Sequence, residues 1–103
     1  MKETIFYILV NMKIDGCVES IAKFFIGNNR KSATAIFLQL KGRKKVDEKT
    51  ILTLDLVEAR DGLPLNIQMI NCSLEELAEN CKIITKEIFK LFNLEEKSNL
   101  HDG

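Results

Sequence analysis

The sequence predicts an α+β fold with a small, mainly antiparallel sheet, on three observations. A β-rich run opens the chain, two alternating apolar runs meet at Asp61-Gly62, and a capped amphipathic helix follows them. The expected order is β-α-α-β-β-α, with the helices packed on one sheet face and the longest helix at the C-terminal end.

Residues 4–14 alternate, with Phe6, Ile8, Val10, Met12 and Ile14 on one face and Ile5, Tyr7 and Leu9 on the other before Asn11 and Lys13. Its first half is thus apolar on both faces. Such a strand is covered on both sides of its sheet, or half covered by another subunit. Asp15-Gly16 ends it, and Asp15 is suited to cap a short helix carrying Val18, Ile21, Ala22 and Phe25, which Gly27 stops. Asn28 or Asn29 then caps a second helix, whose Ala33, Ile36, Phe37 and Leu40 recur at i, i+3, i+4 and i+7 before Gly42. The run 35–40 also fits a strand. Residues 42–50 read as a charged loop.

From residue 51, Leu52, Leu54 and Leu56 point inward against Thr53, Asp55 and Val57 outward. Residues 63–69 mirror this with Leu63, Leu65, Ile67 and Met69 inward, which leaves Ile70 outward. Asp-Gly between such runs signals a hairpin, because a two-residue type I′ turn needs positive φ at both central positions. Pro64 has no N–H to donate, so the early part of its strand lies at an edge or pairs only on its other side. Ser73 with Glu76 makes a capping box, and Cys72 with Leu77 the flanking apolar staple. Leu77, Cys81, Ile84, Ile88 and Leu91 form one helical stripe, and Ile83 and Phe89 stand off it. Periodicity stops at Asn93, so the reading is a single domain over 1–93 and a frayed tail over 94–103. A hairpin followed by a terminal amphipathic helix resembles small dimeric α+β families, including ferredoxin-like domains and the secretion-chaperone type. The likeness is one of architecture, covers no motif and carries no activity with it.

Among 103 residues, 46% apolar and 29% charged content indicates a globular chain rather than a disordered one. Fifteen Lys and Arg balance fifteen Asp and Glu, so no global field draws the protein to nucleic acid or to a membrane. The balance hides an asymmetry: residues 1–50 carry ten cations against five acids, and residues 51–103 five against ten. Halves of opposite sign either pair two chains head to tail or neutralise each other within one fold, and the second is the expectation. Three scattered cysteines, with no CxxC pair, suggest reduced thiols in a cytosolic protein rather than a disulfide framework or a zinc site. The run 5–10 lacks the features of a signal peptide, and no apolar stretch approaches the roughly 18–20 residues that span a bilayer.

The helix start at Asn28, Asn29, Arg30 and Lys31 offers free amides and two cations to an anion. It matches no phosphate-loop pattern, and a plain helix break is the favoured reading. A basic set at Arg30, Lys31, Lys41, Arg43, Lys44 and Lys45 lacks aromatic partners for bases, which makes nucleic acid an unfavoured partner. Catalysis is weakly supported, and no cofactor or metal is expected. The single histidine, His101, lies in the tail, Cys72 and Cys81 fall at packing positions, and Asp55, Glu58 and Asp61 read as solvated carboxylates. The remaining candidate is a surface, made of Ile5, Tyr7, Leu9, Val57 and Ile70 on the outer sheet face, with Ile83 and Phe89 as further unexplained apolar groups. The functional expectation is a cytoplasmic interaction module, homodimeric or docking a protein partner through that face. The alternatives are an anion or small-ligand binder at residues 27–31 and a small cofactorless enzyme.

Overall fold

The computed structural model describes the backbone of residues 3–101 and the side chains of residues 3–91. Its elements run β1 (Thr4–Ile14), β2 (Cys17–Phe25), α1 (Arg30–Leu38), β3 (Leu52–Arg60), β4 (Leu63–Cys72) and α2 (Leu74–His101). All neighbouring strands pair antiparallel in one open sheet of order β2-β1-β3-β4. The protein is therefore a small α+β fold. Two hairpins lie side by side, and α1 carries the chain across β1 from one to the other. This β-β-α-β-β-α order differs from the β-α-β-β-α-β order of a ferredoxin-like domain.

The expected first helix is a strand. Val18, Ile21, Ala22 and Phe25 lie on β2, because Asp15-Gly16 makes the same turn as Asp61-Gly62. Asp15 and Gly16 have φ of 51° and 81°, and Asp61 and Gly62 have 52° and 83°. Both dipeptides thus place two successive residues in the left-handed region that a type I′ turn requires. A bulge opposite Val10 and Asn11 then shifts the face on which later β2 residues fall, so that Val18 and Phe25 share the outer face while Ala22 lies opposite Val10 on the inner one.

One sheet face builds the main core. Phe6, Ile8 and Val10 of β1 pack with Leu52, Leu54 and Leu56 of β3, Ala33, Ile36 and Phe37 of α1, and Leu77 and Ile84 of α2. A second bulge, between Leu56 and Val57, shifts the faces of β4. Ile70 and Cys72 therefore point into the helix-covered core, and Met69 is exposed, opposite to the expected phase. Leu63 and Leu65 also stay exposed, at the hairpin end where neither helix buries them.

The helix starts are specified as the sequence implies. Asn29 caps α1, its Oδ1 accepting from Ser32 N at 2.9 Å. Ser73 and Glu76 complete the reciprocal box, Ser73 N donating to Glu76 Oε1 at 2.9 Å and Glu76 N to Ser73 Oγ at 3.1 Å. Gly42 does not cap α1, which ends at Leu38. Its backbone runs beside β4, where a Cβ would lie 2.5 Å from the carbonyl oxygen of Asn71. Asn80, fully buried on α2, holds the same segment, accepting from Lys41 N at 2.7 Å and donating to Lys41 O at 2.8 Å. The backbone of α2 is helical past Asn93, where the apolar periodicity stops. The packing of side chains in the expected tail lies outside the described residues.

Candidate functional site

The outer face of the sheet carries the most developed constellation. Tyr7, Val57 and Ala59 form a second buried apolar cluster, with Ile5 and Leu9 packed against it, and no helix residue among those described belongs to it. Strand register sets the arrangement. Tyr7 lies between Phe25 and Val57, and Leu9 between Lys23 and Asp55. Asn11 lies between Ser20 and Thr53. The Lys23 ammonium rests 4.2 Å from the centroid of the Tyr7 ring, a cation–π contact that lays the long side chain along the face.

Beside this apolar cluster a polar chain crosses all four strands. Ser20 Oγ donates to Asn11 Oδ1 at 2.7 Å, Asn11 Nδ2 donates to Asp55 Oδ2 at 2.9 Å, and Asn66 Nδ2 approaches the same oxygen at 3.4 Å. Asp55 is only 6% exposed, and its Oδ1 is buried without a hydrogen-bond partner among the described residues. Burial pushes its carboxyl above the usual range, and the amides of Asn11 and Asn66 pull it part of the way back. Reading Asp55 as a solvated carboxylate was therefore incorrect. Among the described residues Asp55 Oδ1 is the one buried polar side-chain atom without a partner, and it lies on the face opposite the helix-covered core.

Of the seven residues expected to form one surface, the structure brings together Ile5, Tyr7, Leu9 and Val57. Ile70 belongs to the opposite core because of the β4 bulge. Ile83 and Phe89 sit on α2, across the sheet from Tyr7; Phe89 is 66% exposed. The sequence reading placed Thr53, Asp55 and Asn66 among the polar residues of this face, and missed Asn11 and Ser20 as members of the network. Its available signal was Asn11 itself, the polar residue that follows three apolar ones on that face.

The other candidate sites are largely occupied by the fold's own contacts. At the start of α1, Asn29 fills the Ser32 amide and Arg30 meets Glu58 at 3.4 Å. Lys41 meets Glu79 at 3.7 Å and Arg43 meets Glu76 at 3.6 Å. All three pairs join a cation of the basic half to an acid of the acidic half, so the two halves neutralise each other within the fold. Glu58 is buried on the helix-covered side and held by Arg30 and Arg60, while Asp61 Oδ1 accepts from Glu3 N in the turn. Asp55, Glu58 and Asp61 therefore form no joint site.

A cleft of about 610 Å³ opens near the 43–51 loop, lined by Arg43, Lys45, Lys49, Ile51 and Leu74 among others. Asp47, also on its wall, is committed to its own turn by bonds to Lys49 N and Thr50. Two thiols are shifted away from reactivity: burial, with Glu76 nearby, pushes Cys72 up to about 11, and burial also raises Cys81. Cys17 is exposed on the edge strand β2. No group of three metal-ligating side chains occurs among the described residues, and no helix among them is long and apolar enough to cross a membrane.

The fold and this face define a class: an open four-stranded antiparallel sheet with helices on one side and an apolar and polar patch on the other. No protein-family model, curated protein or solved structure matches the chain.

Proposed function

We propose that this protein is a non-enzymatic, cytosolic interaction module that assembles through the outer face of its sheet. The observation that supports this reading is the second cluster, Tyr7 with Val57 and Ala59, flanked by Ile5 and Leu9, which no helix residue joins among those described. Apolar anchors surrounded by Lys23, Asn11, Thr53 and Asn66 have the composition of an interface core and rim. The raised thiols of Cys72 and Cys81, the ion pairs of Arg30, Lys41 and Arg43, and the lack of a cluster of ligating carboxylates among the described residues leave the enzymatic and anion-binding alternatives without a specific supporting feature.

The test is Tyr7→Glu and, separately, Leu9→Glu, each compared with wild type for native circular dichroism, self-association and capture of binding proteins. Loss of assembly or capture with the fold retained is expected. Unchanged assembly and capture in both folded variants would overturn the proposal.

A further inference from the structure

The outer face matches itself in charge and in apolarity when turned about an axis lying in its own plane. The row through Leu9 runs Lys23, Leu9, Asp55 across β2, β1 and β3, with a cation and an acid on either side of a central apolar residue. Strand spacing puts Lys23 and Asp55 each about 4.8 Å from Leu9, on opposite sides. A twofold axis along β1 exchanges the two flanks: it carries Lys23 of one copy over Asp55 of the other, and the reverse. The same rotation sets Phe25 against Val57 in the Tyr7 row and Ser20 against Thr53 in the Asn11 row, so apolar meets apolar and polar meets polar.

We infer that the occupant of this face is a second copy of the chain, packed sheet to sheet about a twofold axis along β1, with Lys23 of each copy paired to Asp55 of the other. This rests on the docking role proposed for the face. It names the partner and fixes the register. The arrangement is isologous, as a twofold interface must be, and aligned, as packed sheets commonly are. The pairing requires the Asp55 carboxylate, 6% exposed and with Oδ1 closed to solvent in the single chain, to turn toward the partner. The χ2 of an aspartate turns over a broad range, so the carboxylate keeps Asn11 through one oxygen and meets the ammonium with the other. With the axis along β1, β4 overhangs and three strands of each copy overlap, about 4.8 Å apart and about nine residues long, which gives roughly 430 Å² of projected area per copy before side-chain relief is added. Two such faces total about 860 Å², the size of a weak, concentration-dependent dimer rather than of a standard interface.

A charge-exchange experiment by sedimentation velocity tests the pairing. Wild type is expected to sediment as a dimer. Lys23→Glu sets acid against acid in its own dimer, and Asp55→Lys sets cation against cation, so each alone is expected to dissociate at least tenfold more readily. Their equimolar mixture restores both pairings in a heterodimer and is expected to return to wild-type mass. Should Asp55→Lys fail to fold, Leu9→Cys in a Cys17→Ser background decides instead, because Leu9 alone of its row lies on the axis. A short bismaleimide is then expected to link Leu9→Cys chains in pairs and to leave Ser20→Cys chains, off the axis, single.

A monomeric wild type at millimolar concentration would overturn the second copy as occupant, while the docking role would stand or fall on the capture arm of the Tyr7→Glu and Leu9→Glu comparison. A dimer that responds to Leu9→Glu but not to the charge exchange would overturn the register alone. A dimer indifferent to Leu9→Glu would overturn both.

Discussion

The two faces of one sheet solve the same physical problem by different means. On the inner face Ile8, Leu54 and Leu56 are fully buried because two amphipathic helices lie over them. On the outer face Val57 is almost as buried, yet the cluster it joins holds only strand residues among those described, and the polar chain from Ser20 to Asp55 is left with an unmet oxygen. The inner face has hydrophobic packing without a polar remainder at its centre. The outer face keeps that remainder, and the proposed assembly accounts for it by contacts from outside the chain.

The largest expected effect sharpens this contrast. Ile8→Ala opens a cavity under both helices and should cost about 2–5 kcal/mol, read as a lower midpoint in urea with little change in slope. Leu9→Glu, one residue away on the other face, should leave the isolated fold within about 1 kcal/mol of wild type, since Leu9 is only half-buried. Equal losses in the two variants would erase the distinction between the faces.

Gly42→Ala comes next, because the added Cβ would meet the Asn71 carbonyl oxygen at 2.5 Å and force the loop off β4. A loss of about 1–3 kcal/mol is expected in thermal denaturation. Ser73→Ala removes one partner of the capping box and should cost about 1 kcal/mol, with Glu76→Gln milder. Both changes lie on the helix side and should leave self-association unaltered, a result checked by light scattering.

The smallest effect is one of pH. Burial raises the Asp55 carboxyl, so the folded state holds its proton more tightly than the unfolded chain does. The stability this gives is fully present below the unfolded carboxylate pKa, and it is lost as pH rises through the raised folded value. Asp55→Asn does not titrate. At a concentration where light scattering gives single chains, its melting temperature should gain on wild type from about pH 4 toward pH 7. A constant difference across that range would show that Asp55 titrates alike in both states.

Much of the fold was legible in the sequence wherever a local rule had no competitor. The Asp61-Gly62 turn, the Asn29 cap and the Ser73-Glu76 box each follow from backbone chemistry within four residues. Asp15-Gly16 carried the same turn signal, yet Val18, Ile21, Ala22 and Phe25 also satisfy helical spacing, and only pairing with β1 through a bulge decides between the two readings. The bulge that sent Ile70 inward is likewise a property of strand pairing rather than of β4 alone. Four members of the outer patch were readable from simple alternation on β1 and β3. The Asn11, Asp55 and Asn66 chain was not, since its members come from three strands, and nothing local distinguishes a networked strand aspartate from a solvated one.

The most direct test of an outer face closed by assembly is the absolute mass of the wild-type protein by light scattering, at two protein and two salt concentrations. A salt-resistant species of twice the 11.8 kDa chain mass, falling toward one chain on dilution, is the predicted result. A single-chain mass at the highest concentration under both salt conditions would contradict it.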